Sequence, residues 1–155
     1  MTTRVLNRND IMQVIEMEPT IKAVENVYTM KSQGEAVAWP TVFHVFEEGQ
    51  RDMDIRSGYL PGEHIFGHKT IGFFADNASK GLPNLMATIS VFDEFTGAPV
   101  GILEGAYITG VRTGAAGAIG AKYLARKDSE TLFVLGAGNQ AADQIAATIV
   151  CFPGL

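Results

Sequence analysis

Apolar positions recur in this chain with two periods, and the places where the period changes mark its elements. Val5 and Leu6 form a short edge strand. Asn9 or Asn7 then caps a short helix running through Ile15, with Asp10 in its first turn. From Pro19 the apolar residues Ile21, Val24, Val27 and Tyr28 fall three and four positions apart, the spacing of one helix face. Pro19 suits the first helical position and Gly34 the stop. Beyond Gly34 the period drops to two. Residues 41–46 are rich in β-branched and aromatic side chains and end at Glu47-Glu48-Gly49. Residues 54–59, 64–74 and 85–92 follow as strands separated by Pro61-Gly62 and other turn residues, and Thr96-Gly97 turns the chain back into residues 100–104. Connections this short join mostly antiparallel strands. Residues 107–124 return to helical spacing. The polar link Lys127-Asp128-Ser129 leads to an apolar run, 131–135, which reads as a buried strand, then to a turn and a helix from about Gln140.

This order predicts an α+β fold. Helices and a mostly antiparallel sheet occupy residues 1–128. Residues 129–155 form the first βα unit of an incomplete Rossmann-like, dinucleotide-binding domain.

The turn after residue 135 carries the first candidate chemistry. Gly136-Ala137-Gly138-Asn139-Gln140-Ala141 is a Gly-x-Gly-x-x-Ala sequence between a strand pattern and a helix pattern. Gly136 permits the tight turn, Gly138 lets the backbone approach a pyrophosphate, and Ala141 lets the helix pack close. The free N–H groups and positive dipole end of the helix would face the phosphates. The acidic residue expected about 20 positions further on lies beyond Leu155, so NAD and NADP are not distinguished.

Composition narrows the function classes. The chain has 155 residues, 46% hydrophobic and 19% charged, enough apolar material for a packed core. A net charge of −5 argues against a nucleic-acid partner, which requires basic surface. One cysteine, Cys151, leaves no disulfide framework and no cysteine metal site, and His44, His64 and His68 lack metal-ligand spacing. The N-terminus has no apolar signal core, and residues 106–124 are broken by Arg112, Lys122 and four glycines, a poor membrane span. A reduced, cytoplasmic setting is expected.

Three cations stand out. Lys69 shares a strand face with the apolar residues Ile65, Ile71 and Phe73. It is either an edge-strand lysine that reaches solvent or a cation aimed into a pocket to hold a carboxylate or tune a proton transfer. Arg112 lies near the start of a helix, against the helix dipole. It either pairs with an acid such as Glu104 or joins the helix end as an anion site. The small residues around it serve close helix packing or the approach of a cofactor. Arg56 alternates with Asp54 and Gly58 and reads by itself as a solvated cross-strand ion-pair residue.

Taken together, the motifs resemble the ornithine cyclodeaminase/mu-crystallin family. The resemblance is carried, in order, by the helix of residues 19–34, Gly67-His-Lys69, Gly81-Leu-Pro83, Gly97-Ala-Pro-Val100, Gly110-Val-Arg-Thr-Gly-Ala-Ala-Gly117, Ala121-Lys-Tyr-Leu-Ala-Arg126 and Leu135-Gly-Ala-Gly-Asn-Gln140. Together they match the N-terminal half of a family member. The resemblance implies an NAD(P)-dependent oxidoreductase or cyclodeaminase acting on a small amino or imino acid, working as a homodimer that pairs through the sheet. It implies that Lys69 is the substrate lysine and that Arg112 lies where substrate meets nicotinamide. Thr113, Asn84, Asn139 and Gln140 would belong to the cofactor site with Gly136 and Gly138. The family has an arginine just after a proline in its early strand. Here that region reads Trp39-Pro-Thr-Val-Phe-His44, and Arg56 is the candidate replacement. In ornithine cyclodeaminase proper a catalytic aspartate comes from the C-terminal half, and the adenosine pocket needs the next strand and its acidic end. The chain by itself is therefore expected to bind NAD(P) weakly or not at all and to turn over no amino acid, and the apolar face of residues 132–135 to lack a neighbouring strand. The competing expectation is a non-catalytic chain that dimerises or binds a small carboxylate.

Overall fold

Strand β1 (Arg4–Leu6) lies parallel to a late strand, β7 (Pro99–Glu104), and every other pairing in the sheet is antiparallel. The computed structural model describes residues 2–155. Between these strands come β2 (Val37–Ala38), β3 (Val42–Glu47), β4 (Arg51–Leu60), β5 (Ile65–Phe74) and β6 (Leu85–Asp93). The seven-stranded sheet runs β1-β7-β6-β5-β4-β2, with β3 also pairing with β4. In the central hairpin of β4 and β5, β4 is longer at both ends than the apolar alternation alone predicts. The hairpin's ends are Arg51 opposite Phe74 and Leu60 opposite Ile65. A 3-10 turn at Pro61–Glu63 closes it, with His64 in the left-handed region at φ 55°, so the third predicted strand starts at Ile65 and not at His64.

The helices follow their caps. The Asn7 side chain accepts from the Asn9 and Asp10 amides at 2.8 and 3.2 Å, and the Asp10 carboxylate accepts from the Asn7 amide at 2.9 Å. This reciprocal box starts α1 (Arg8–Val14). Helix α2 (Met17–Ser32) begins two residues before Pro19. Pro19 is its third residue and not its first. Amides of a first helical turn have no partner inside the helix, so proline is tolerated there. Helix α3 (Gly105–Leu124) starts where the Glu104 carboxylate accepts from the amides of Ala106 and Tyr107 at 2.9 and 3.0 Å. Glu104 is therefore a helix cap and not the partner of Arg112.

The helices pack on one sheet face. Gly105 sits so close to β6 that a β-carbon there would lie 3.0 Å from that of Ala87. Ile21 of α2, Ala115, Ala118 and Ile119 of α3, and Ala147 of α4 (Ala141–Cys151) form the buried core of this layer. The stripe Gly110, Gly114, Gly117 of α3 lies against α4. A β-carbon at any of the three would overlap Asp143 or Gln144. Close helix packing accounts for the stripe.

The opposite face carries a row of rings. Trp39 lies 6.5 Å from Phe66, Phe66 stacks on Phe92 at 5.2 Å, and His68 on Phe92 at 5.9 Å. Exposed Val42, Phe46, Met86 and Ile102 extend it. No helix among the described residues is long and apolar enough to cross a membrane.

Residues 131–135, predicted as a strand, are not one. They are irregular and pair with no strand among the described residues, and Phe133 and Leu135 are 82% and 92% exposed. Apolar β-rich sequence becomes a strand only with a ladder partner beside it, because its backbone N–H and C=O groups are otherwise left to water. The turn and the helix after it form as expected.

Candidate active site

Strand register assembles the first group of residues. In β4 and β5, Arg56 stands opposite Lys69, with Asp54 two residues away on the same face; in β6, Ile89 stands opposite Lys69. Gly58 and Gly67 pair directly beside them. A β-carbon on Gly67 would come within 2.5 Å of the Ser90 carbonyl oxygen, so only glycine allows this approach of β5 to β6. Because β5 lies between β4 and β6, Lys69 belongs to a central strand and not to an edge.

Helix α3 crosses this face and adds Thr109 and Arg112, one turn apart. The Lys69 ammonium donates to the buried Thr109 hydroxyl at 3.2 Å. Burial holds the Lys69 pKa below the ordinary lysine value. The nearby charges of Arg112 and Arg56 push it the same way, and Asp54 alone opposes them. Arg56 donates to Asp54 Oδ2 at 3.1 Å. Arg56 is thus an ion-pair residue, as its strand pattern suggested, but its partner is on its own strand. The Arg112 guanidinium makes no ion pair or hydrogen bond among the described residues, and it borders a cavity of about 310 Å³ walled by Ala23, Val24, Val27 and Tyr28 of α2. On the other side of Lys69 a cavity of about 210 Å³ is lined by Arg56, Leu60, Ile65, Lys69, Ile89 and Val91.

The glycine turn forms a second group. Gly136 has φ 97°, which requires glycine, and the Gly138 carbonyl accepts from the Ala141 amide at 3.0 Å as α4 begins. A β-carbon on Gly138 would meet nothing within 4 Å, so its backbone is open to a ligand. Residues 134–136, Gly138, Gln140 and Ala141 line a hollow of about 190 Å³. Asn139 and Gln140 also border a larger cavity of about 460 Å³ with Arg8, Tyr107, Gly110 and Asp143. In it Arg8 lies over the Tyr107 ring at 5.2 Å, and burial raises the Asp143 carboxyl above its usual range, with Arg8 opposing.

Helix α3 joins the two groups. Thr109 bonds to Lys69, while Gly110 borders the cavity of Asn139 and Gln140. The Thr113 hydroxyl donates to the Thr109 carbonyl at 2.6 Å, and the Thr113 carbonyl accepts from the Gln144 side chain at 3.2 Å. Lys69, Arg56 and Arg112 are thus brought together, and Gly136, Gly138, Asn139 and Gln140 are brought together elsewhere. Asn84 joins neither group. Its side chain accepts from the Ala78 amide at 3.0 Å and holds the 3-10 segment Ala75–Lys80, although its neighbours Pro83 and Leu85 line the larger cavity. Sequence reasoning missed Thr109, Arg8, Tyr107 and Asp143. Thr109 was within reach, one helical turn before Arg112; the contact between Arg8 and Tyr107 spans 99 positions and had no local signal. No group of residues with metal-ligand character occurs among the described residues.

A profile of the Ornithine cyclodeaminase/mu-crystallin family matches residues 1–153. Over 150 residues the chain is 36% identical to the alanine dehydrogenase of Archaeoglobus fulgidus, covering 95% of this chain and 44% of that enzyme. It is 29% identical over 143 residues to the iminosuccinate reductase of Paracoccus denitrificans, covering 92% and 45%. Among solved structures, an archaeal alanine dehydrogenase dimer with bound NAD superimposes with a TM-score of 0.93 at 34% identity, over 99% of this chain and 47% of that one. The Delta(1)-pyrroline-2-carboxylate reductase of Thermococcus litoralis, in complex with NADH and L-proline, gives 0.89 at 35% identity, over 96% and 46%. The chain spans less than half the length of these relatives.

Proposed function

The chain belongs to the ornithine cyclodeaminase/mu-crystallin family, and on that premise we propose that it is part of an NAD(P)-dependent oxidoreductase that transfers hydride at the α-carbon of a small amino or imino acid. Residues 1–128 act as the substrate-binding and dimerisation domain, and residues 129–155 open the dinucleotide-binding domain. The observation that carries this is the charge around Lys69: a half-buried ammonium faces two guanidinium groups with one carboxylate among them. Three cations against one anion leave unbalanced positive charge on a poorly solvated face, which favours binding an anion. A substrate carboxylate fits. Arg112 offers its planar fork, unclaimed by any residue described, and Lys69 has ammonium protons left after its bond to Thr109. Each such charge-assisted contact is worth roughly 1.5–3 kcal/mol.

The glycine turn suits the pyrophosphate of a dinucleotide. Gly136 makes the turn, Gly138 leaves the backbone open, and the Asn139 and Gln140 amides precede α4 without a carbonyl partner among the described residues. When bound, the nicotinamide supplies or accepts the hydride. Arg112 and Lys69 orient the substrate by its carboxylate, and Lys69, whose hold on its proton is weakened, can release one toward a substrate nitrogen or oxygen. The ring-bearing sheet face, left open by the helices, is the surface for a second copy of the protein, since an apolar face of this kind favours burial. The acidic net charge gives no support for a nucleic-acid partner.

NADH consumption by the whole enzyme of which residues 1–155 are proposed to be part, against small α-keto acids with ammonia and against cyclic imino acids, tests the proposal. Turnover with one of these classes supports it. Carboxylate binding with neither NADH nor NADPH binding favours a non-catalytic carboxylate-binding chain, an alternative that draws on the exposed, unpaired run of residues 131–135.

A further inference from the structure

Asp54 is the one acidic side chain in the Lys69 cluster, and half of it is unaccounted for. One oxygen, Oδ2, accepts from Arg56 at 3.1 Å; the other, Oδ1, is buried and has no hydrogen-bond partner. The pair is unevenly placed, with the Asp54 side chain 13% exposed and Arg56 61%. A surface ion pair would expose both partners. A buried carboxylate oxygen without a donor is unfavourable, and such groups persist where they serve a site. Its surroundings say which site. Strand register sets Asp54 diagonal to Lys69, across the β4–β5 pair and on the same face, a separation the long lysine side chain can span in part. The charged groups facing Lys69 are Arg112 from α3 and Arg56 and Asp54 from β4; from β6 it faces Ile89, which is neutral.

We propose that Asp54 is the positioning residue of this cluster: it anchors Arg56 through Oδ2 and, through the field of its otherwise unpaired carboxylate, keeps Lys69 an ammonium between two guanidinium groups. Lysine neighbours of like charge favour loss of the ammonium proton, and a neutral amine would not hold a carboxylate. Asp54 is the counterweight. It touches neither substrate nor cofactor and acts through Lys69 and Arg56. No ligand is needed for this role, so it stands or falls separately from the oxidoreductase proposal.

The test reads the protonation of Lys69 directly. Acetic anhydride acylates only the free amine, so the pH dependence of Lys69 acylation in the protein, followed by peptide mass spectrometry, gives its pKa without cofactor or substrate. Asp54→Asn removes the charge at nearly constant shape and is expected to lower that pKa by roughly half a pH unit or more. Asp54→Glu, which keeps the charge, is expected to stay at the wild-type value. A merely structural role gives the opposite sign, because a loosened β4 would let water reach Lys69 and raise its pKa. An unchanged or raised value in Asp54→Asn therefore overturns the proposal. Should that variant fail to fold, Asp54→Ser decides: it also removes the carboxylate, so the Lys69 pKa falls, and an unchanged or raised value overturns the proposal.

Discussion

The Lys69 cluster and the glycine turn are built by different means. The first is made of side chains fixed on two central strands and one helix, with register setting Arg56, Asp54 and Lys69 on one face and a hydroxyl from α3 meeting the ammonium. The second is made of backbone: a left-handed glycine, an open glycine and the start of a helix, preceded by an apolar run with no strand beside it. The cluster carries its own supports, whereas the turn leans on the packing of α4, chiefly into the glycine stripe of α3 and also against α2. A site of side chains on rigid strands is set by local register; a site of backbone needs its surroundings to hold it.

That dependence is where the largest effect is expected. Gly114→Val places branched carbon where α4 runs, and overpacking at such a crossing costs about 3 kcal/mol. Chemical denaturation should show this loss, and the turn should be disturbed while the β4–β5 hairpin, away from α4, keeps its amide protection against hydrogen exchange. Equal loss of protection in both regions would remove the distinction between them. Next come the cations. In the whole enzyme of which this chain is proposed to be part, Lys69→Ala and Arg112→Ala should each lower kcat/KM at least about tenfold, the value of one charge-assisted contact, and steady-state kinetics will show whether either is dispensable.

The cluster should also work against stability, and pH reveals it. The folded-state pKa of Lys69 lies below its unfolded value, so the unfolded chain binds the proton more tightly. The penalty is present in full below the folded pKa and disappears as pH rises through it to the ordinary lysine value. Lys69→Met should therefore raise Tm at neutral pH while lowering activity, and the rise should shrink at high pH. A scanning calorimetry series would show the reverse trend if Lys69 were a stabilising residue. Removal of the cap by Asn7→Ala should cost about 1 kcal/mol and leave both regions alone. The smallest effect belongs to Leu135→Asp, at a position 92% exposed, with a change within about 0.5 kcal/mol by thermal denaturation.

These contrasts also explain what the amino-acid order made legible. Two-residue alternation placed five of the strands, and the Glu47-Glu48-Gly49 and Thr96-Gly97 breaks fell where the hairpins turn. Val37–Ala38, two residues long, is too short to have a period. The alternation of Lys69 with apolar residues was visible, but whether its strand was central or at an edge depended on pairing, which periodicity does not carry. Arg112 was conspicuous because a helix starting near Tyr107 would set it against the dipole; α3 starts at Gly105, so Arg112 is its eighth residue, past the first turn, and its expected partner, Glu104, is spent on the cap. The glycines of α3 showed close approach without showing of what; α4 is the answer. Residues 131–135 had a strand's composition, and composition cannot supply the neighbour that would make them one. Arg8, Tyr107 and Asp143 meet only in three dimensions.

The central claim is that Lys69 and Arg112 together hold a carboxylate. Calorimetric titration of the protein with pyruvate and with L-proline measures this directly, beside the Arg112→Ala and Lys69→Ala variants. Saturable binding of at least one ligand, weakened about tenfold or more in each variant, is the expected result. Equal affinity in wild type and both variants, or saturable binding of neither ligand, would contradict it.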